Sequence, residues 1–332
     1  MLNIRLNKNF NKLKTNYVFA EVAKYKNKGY IDLSIGDWSL PLVPKIKDAI
    51  KKALDDDEAH KYPPETGYDF LKEAIQKYYR TEFNVDLDKT EIFINDGANS
   101  DLANIFDILG KNNFVTIVPT YPVPYESVLI KNKLNKKSSQ YVLYLCSPNN
   151  PTGKVLNIEN WVNLANKIGA LIIFDGAYSA YNTNGTKSIF QIKNSSENCI
   201  EINSLSKMAG FTGLRCGWTI IKNESLKKMW TRRVTTCFNG VPYIIQKGAE
   251  TALSPEVIEE NKKNIQSYMK NAAKIKEFLK MKKIKFVGGE NSPYIFCDYK
   301  FTDFIKKYNI LGVPFGSKTR LSSLSLLSPV EA

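Results

Sequence analysis

The segment Leu171-Ile172-Ile173-Phe174 carries no polar side chain and ends on an acid, Asp175. A strand with no polar face has both faces covered, and such strands belong to parallel sheets flanked by helices. The surrounding pattern agrees. Ile92 to Asn95, Phe114 to Val118, Tyr141 to Cys146, Cys199 to Ile202 and Trp218 to Ile221 read as further short strands. Asp101 to Leu109, Trp161 to Lys167 and Glu224 to Arg233 read as helices between them. The alternation predicts an α/β fold in which a mostly parallel sheet is covered by helices.

Ahead of the first strand, Pro44 to Leu54 and Leu71 to Phe83 have helical spacing, with Pro63-Pro64 as punctuation between them. The first stretch is basic and weakly periodic, with aromatics at Phe10, Tyr17, Tyr25 and Tyr30, and reads as an arm. After about Gly248 the texture changes: Val257 to Met281 is one lysine-rich helical pattern, and Ile284 to Val287 and Tyr294 to Cys297 read as strands of a smaller α+β unit. The expected division is an arm over 1–38 that packs with the small unit, a large domain over 39–245 and a small C-terminal domain over 246–332. No internal repeat is visible.

Composition narrows the class. With 332 residues, 43% hydrophobic and 24% charged, the chain matches ordinary globular proteins and not disordered or fibrous ones. Lys+Arg 47 against Asp+Glu 33 gives +14, a balance suited to nucleic acid or to anionic substrates. The lysines are spread through helical segments with no stacking or groove-reading motif, so no nucleic-acid partner is expected. No apolar run approaches the roughly 20 residues of a membrane span and the N-terminus has no signal-peptide core; no membrane association and a cytoplasmic location are expected. Cys146, Cys199, Cys216, Cys237 and Cys297 match no metal spacing and read as reduced, mostly buried thiols, so no metal is expected.

Three segments carry the chemistry. Ser204 to Arg215 follows a predicted strand and sets Lys207 among Ser204, Ser206 and Arg215, an amine beside an anion cradle. Alone, that lysine is one of 47 basic residues and reads as a solvated charge. Ser147-Pro148-Asn149-Asn150-Pro151-Thr152-Gly153 follows a strand at the sheet edge where open α/β folds place ligands, although Asn-Pro and Thr-Gly are also common turn dipeptides. Asp175-Gly176-Ala177-Tyr178 closes the apolar strand with an acid that is poorly solvated unless paired, or else a helix cap.

In their order, Asn-Pro-Thr-Gly, then Asp-x-x-Tyr, then Ser-x-Ser-Lys, then Arg, these segments resemble the fold-type I pyridoxal-phosphate aminotransferases, and the resemblance extends over essentially the whole chain. It implies pyridoxal 5'-phosphate as cofactor, amino acids and 2-oxo acids as substrates, and 39–245 as the cofactor-binding domain. Lys207 would hold the cofactor aldehyde as a Schiff base and then move the substrate's proton. Asp175 would pair with the pyridinium nitrogen. Asn150 and Tyr178 would hydrogen-bond the phenolic oxygen, and Tyr121 would stack on the ring. The loop around Ala98 and Asn99 would face the phosphate with its backbone N–H groups, with Ser204, Ser206 and Arg215 completing the cradle. Tyr62 would reach the phosphate from a neighbouring subunit, implying a homodimer with shared active sites. Arg320, otherwise a surface arginine, would bind the substrate α-carboxylate.

Further stretches look like one subgroup, the LL-diaminopimelate aminotransferases: Leu13-Lys14-Thr15-Asn16-Tyr17, Ser34-Ile35-Gly36-Asp37, Pro64-Glu65-Thr66-Gly67-Tyr68, Thr235-Thr236-Cys237-Phe238-Asn239-Gly240 and Gly288-Gly289-Glu290-Asn291-Ser292-Pro293-Tyr294. This implies amino transfer between glutamate and tetrahydrodipicolinate on the route to lysine, with Gly36 at the substrate, Glu65 on its distal ammonium, and Asn291 and Tyr17 at its distal end. Glu65 equally reads as a first-turn helix acid. Asn99 stands where the subgroup carries a lysine, and Tyr125 to Tyr141 and Gly312 to Arg320 are short. These departures keep two alternatives open: an aminotransferase of another amino acid, or a catalytically weakened relative with a binding role.

Overall fold

In the computed structural model of the chain, residues 5–13, 18–26 and 28–325 are described. Tyr17 lies outside the described residues. The helices are α1 (Val18–Ala23), α2 (Pro44–Ala53), α3 (Asp69–Phe83), α4 (Ala98–Asn104), α5 (Val123–Ile130), α6 (Ile158–Ile168), α7 (Glu224–Cys237), α8 (Tyr243–Ala252), α9 (Pro255–Met281) and α10 (Phe301–Tyr308). The strands are β1 (Ile31–Asp32), β2 (Ile92–Asn95), β3 (Asn113–Thr116), β4 (Tyr141–Cys146), β5 (Leu171–Asp175), β6 (Cys199–Ser204), β7 (Gly217–Ile221), β8 (Phe286–Gly288), β9 (Tyr294–Cys297), β10 (Ile310–Leu311), β11 (Val313–Phe315) and β12 (Lys318–Ser322).

The central sheet runs β2-β7-β6-β5-β4-β3, and only β7 opposes the other five strands. The side chains of β5 show why its sequence is apolar throughout. Ile172 and Phe174 join Val162 and Ala165 of α6 in one core layer, while Ile173 joins Phe106 and the α7 residues Trp230 and Val234 in the layer on the opposite face. Each fully buried side chain of this size contributes about 1.5–3 kcal/mol relative to exposure. Helix ends are set locally: the Asn157 side chain accepts from Asn160 N at the start of α6, and Gly169 closes that helix in the left-handed region.

One polar knot ties α3 to the sheet. Glu201 on β6 is fully buried and accepts bonds from Tyr79 Oη (2.5 Å), Ser188 Oγ (2.7 Å), Ile189 N (2.8 Å) and Asn203 Nδ2 (2.7 Å). A buried carboxylate is tolerable only when its lone pairs are filled in this way. The knot anchors the strand that leads to Lys207.

A second sheet, β11-β12-β9-β8, is antiparallel, and β1 pairs in parallel with β10. The N-terminal segment therefore packs with the C-terminal one, and Val22 shares a core with Phe301, Leu311 and Val313.

Several sequence expectations shift. α4 starts three residues before Asp101 and passes into a 3-10 turn at Ile105–Asp107. Helices α5, α8 and α10 and strands β1 and β10–β12 were not anticipated. Prolines at the start of α5 and before α8 read as breakers in sequence but fit a first turn or cap, where no N–H donor is needed. Gly248 lies inside α8, so the change of texture there is no element boundary. All five cysteines are free; four are buried and Cys237 is exposed. Among the described residues no helix is long and apolar enough to cross a membrane, and no group of His, Cys, Asp and Glu could hold a metal ion.

Candidate active site

The C-terminal ends of β4, β5 and β6 open onto a cavity of about 470 Å³, the crevice position general to open α/β sheets. Asn150 follows β4, Asp175 ends β5 and Lys207 follows β6, and all three line it. The second sheet supplies the opposite wall through Tyr294 on β9 and Arg320 on β12.

Lys207 is half-buried, and its Nζ donates to Gly36 O. Burial lowers its pKa to about 8; Asp37 pulls the other way, and Arg320 and Arg215 add to the lowering. An amine in that range is partly neutral near physiological pH, as a nucleophile and proton carrier must be. Because the folded value lies below the ordinary 10.5, the unfolded chain binds more protons between about pH 8 and 10.5, and stability rises with pH across that window. Buried thiols and phenols titrate nearby, so the clean observable is a difference. In the cofactor-free protein, denaturant unfolding should show wild type gaining stability relative to Lys207→Met as pH rises from 8 to 10.5, and a flat difference would contradict the assignment.

Asp175 is 2% exposed and accepts from Tyr144 Oη (2.7 Å) and Ala177 N (3.0 Å). Burial pushes its pKa up, while Tyr144, Ala177 and Cys146 hold it down. No ion pair compensates it among the described residues, so a buried anion at the cavity wall is left to face a cationic group brought in by a ligand.

At another part of the wall, Arg215 donates through Nη1 to Ser206 Oγ (3.3 Å) and Thr212 O (2.9 Å), and Ser204 Oγ bonds Ser206 Oγ (3.0 Å). Gly97, at φ +101°, backs this guanidinium so closely that a Cβ there would stand 2.4 Å from Nη2. Asn99 accepts from Tyr121 Oη at 2.7 Å, and Ala98 lies beside it; all line the cavity. Hydroxyls beside an arginine that has no carboxylate partner among the described residues, a buried acid and a lysine of lowered pKa, all lining one cavity, fit a phosphorylated pyridine aldehyde.

Arg320 is 2% exposed; it donates to Asn150 Oδ1 (3.2 Å) and Ser34 O (2.5 Å), and its guanidinium lies 4.3 Å from the Tyr294 ring centroid. Tyr178 Oη is 3.5 Å from Asn150 Nδ2 and 2.8 Å from Tyr294 Oη. Gly36 leaves the room for that phenol, since a Cβ there would come within 2.3 Å of Tyr294 Oη.

Three expected residues are not brought to the cavity by this single chain. Tyr62 is 87% exposed and Glu65 is exposed. Asn291 instead accepts from Thr183 N (3.1 Å) and Oγ1 (3.0 Å). Glu65 sits in a turn four residues ahead of α3, so it is not a first-turn helix acid either. Tyr294, Asp37 and Ser34 went unassigned: Tyr294 reads as strand core, and Ser34 acts through its carbonyl, which no side-chain pattern signals.

The sheet order and a site combining a depressed lysine, a buried aspartate and a buried arginine define a fold-type I pyridoxal-phosphate enzyme of the transaminase kind. Residues 28–129 and 126–307 match the family "Aminotransferase class I and II"; the chain belongs to that family and is a pyridoxal-phosphate-dependent aminotransferase acting on amino acids and 2-oxo acids. Among its relatives, the LL-diaminopimelate aminotransferase of Azobacteroides pseudotrichonymphae is 37% identical over 94% of this chain and 90% of its own length. The LL-diaminopimelate aminotransferase of Lawsonia intracellularis is 38% identical over 87% and 84%. The solved L,L-diaminopimelate aminotransferase from Chlamydomonas reinhardtii superimposes with a TM-score of 0.87 at 29% identity, covering 97% of this chain and 95% of that one.

Proposed function

We propose that the chain exchanges an amino group between glutamate/2-oxoglutarate and LL-diaminopimelate/tetrahydrodipicolinate, in lysine biosynthesis. The observation that carries the chemistry is the convergence of Lys207, Asp175 and Arg320, from both sheets, on one cavity. Similarity to relatives of that name supports the substrate.

Pyridoxal phosphate, when bound, supplies an aldehyde that captures amino groups and a protonated ring that accepts the electron pair of the substrate Cα–H bond. Asp175 keeps the proton on the ring nitrogen. Lys207 Nζ takes the proton from the substrate Cα and delivers it in the return direction, its lowered pKa making both transfers accessible. Tyr178 and Asn150 would hold the cofactor's phenolic oxygen, Tyr121 would pack against its ring, and Arg215, Ser204, Ser206 and the backbone at Ala98 and Asn99 would hold its phosphate. Arg320 binds the α-carboxylate and so fixes which face of Cα meets the lysine. Arg320→Lys keeps the charge but loses the planar two-nitrogen fork; KM for both amino acid and 2-oxo acid should rise about 10–100-fold, measured by steady-state kinetics with either substrate varied.

The active form is a homodimer in the cytoplasm. Five free cysteines suit a reducing compartment. The exposure of Tyr62 and Glu65 supports their reaching the partner subunit's site, Tyr62 at the phosphate and Glu65 at the distal ammonium, with Gly36, Asn291 and Tyr17 completing the substrate set. The large domain over 39–245 would carry the cofactor, and 246–332 with the arm would close over it.

A second reading, another amino acid as donor, is favoured by one observation: Asn99 is engaged by Tyr121 and offers no cation for a distal carboxylate. Incubation with 15N-glutamate and unlabelled LL-diaminopimelate plus 2-oxoglutarate decides between them by mass spectrometry. Label appearing in LL-diaminopimelate supports the first reading, and label confined to glutamate and other amino acids supports the second.

A further inference from the structure

Tyr294 is used by none of the roles above, yet its ring and its hydroxyl each meet a different part of the site. The ring lies against the Arg320 guanidinium, 4.3 Å from centroid to Cζ, and meets Tyr178 edge to face with centroids 5.1 Å apart. The hydroxyl is 2.8 Å from that of Tyr178 and is packed against the Gly36 backbone. Tyr294 is 2% exposed.

The direction of the hydrogen bonds follows from what each group can do. A guanidinium only donates, so Asn150 turns Oδ1 to Arg320 and Nδ2 to Tyr178. A phenol oxygen accepts from up to two donors and has one proton to give. If Tyr178 spent that proton on Tyr294, it would offer the cavity no donor. A cation over the ring face stabilises charge on the Tyr294 oxygen and makes it the better donor of the two, while burial keeps both phenols protonated.

We propose that Tyr294 is a positioning residue with two functions: its O–H donates to Tyr178, leaving the Tyr178 proton to point into the cavity at the cofactor's phenolic oxygen, and its ring is the platform that holds Arg320 for the substrate carboxylate. This inference rests on the transaminase reading above. It gives Tyr294 a part in cofactor electronics as well as in packing.

The test uses the cofactor-loaded protein and two variants. The midpoint of the pH-dependent change in its visible absorption reports how well the phenolic oxygen is hydrogen-bonded. Losing a donor there leaves more negative charge beside the titrating nitrogen and raises the midpoint. Tyr294→Phe should shift it upward by about 0.5–1 pH unit, in the same direction as Tyr178→Phe, and leave the calorimetric Kd for 2-oxoglutarate within about twofold. Tyr294→Leu, which removes the platform, should weaken 2-oxoglutarate about tenfold. A Tyr294→Phe midpoint equal to wild type overturns the first function, and equal 2-oxoglutarate Kd values for wild type and Tyr294→Leu overturn the second. Controls separate the two levels. A wild-type protein with no visible band that Lys207→Ala removes overturns the underlying reading; a band that behaves so with an unmoved Tyr294→Phe midpoint overturns the Tyr294 proposal alone.

Discussion

Lys207→Ala should lower the turnover number about 10⁴-fold or more and abolish the visible absorption of the loaded protein, while leaving the fold in place. The expectation comes from the composition of the cavity wall: Lys207 is the only lysine among the described residues lining it, so no second amine stands ready to take its place. The loss is a loss of proton transfer at the substrate Cα as well as of attachment. Lys207→Arg should fail nearly as completely, because a guanidinium stays protonated at any working pH and cannot accept a proton. The fold should tolerate the alanine, since removing a buried amine whose charged form is disfavoured by burial relieves a cost and forfeits only the bond to Gly36 O. Single-turnover kinetics with glutamate, followed by the 2-oxoglutarate formed, measures the effect directly, and a decline of less than tenfold would remove Lys207 from the chemistry.

Asp175→Asn should come next in size, with the turnover number falling about 10²–10³-fold. The amide has the shape of the carboxylate: its Oδ1 can still accept from Ala177 N, and its Nδ2 can donate to Tyr144 Oη, a hydroxyl able to turn and accept. It carries no charge, and so cannot hold a proton on the cofactor's ring nitrogen. The change is therefore electrostatic with the packing nearly unaltered, and Tm should move by only a few degrees. Asp175→Ala makes the contrast. It strands the buried Tyr144 hydroxyl as well, adding a stability cost of about 1–3 kcal/mol. A kinetic defect in Asp175→Ala that Asp175→Asn does not share would mean that the carboxylate is structural.

Much of this site was legible because its chemistry sits at ends of elements that the sequence marks strongly. The apolar run before Asp175, the strand before Ser147 and the strand before Lys207 each announce their own C-terminal end, and parallel strands bring those ends to one edge. The register pairs Cys146 with Asp175 and Asp175 with Ile202, which is why segments so far apart in sequence meet. The second sheet was harder. β12 buries Thr319, Arg320 and Ser322, polar residues where a strand facing the core would show apolar ones. Arg320 is buried at the cavity, while Thr319 donates to Tyr299 O and Ser322 accepts from Leu324 N, and together they erase the alternation that identifies strands. Tyr294 escaped for the opposite reason, since a tyrosine in an apolar strand looks like core and its hydroxyl partner, Tyr178, lies 116 residues away. Tyr62 and Glu65 differ again: the resemblance named both for the site, and in this chain both are exposed, so their place there rests on the proposed second copy.

The most direct test of the account is a spectral titration of the purified, cofactor-loaded protein. Glutamate and LL-diaminopimelate, added separately, should each convert the visible band to the shorter-wavelength form of the aminated cofactor, whereas aspartate and alanine at the same concentration leave it in place. Conversion by glutamate together with other amino acids, but not by LL-diaminopimelate, would contradict the proposed substrate; a protein that takes up no cofactor and shows no band would contradict the assignment of Lys207, Asp175 and Arg320 to a transaminase site.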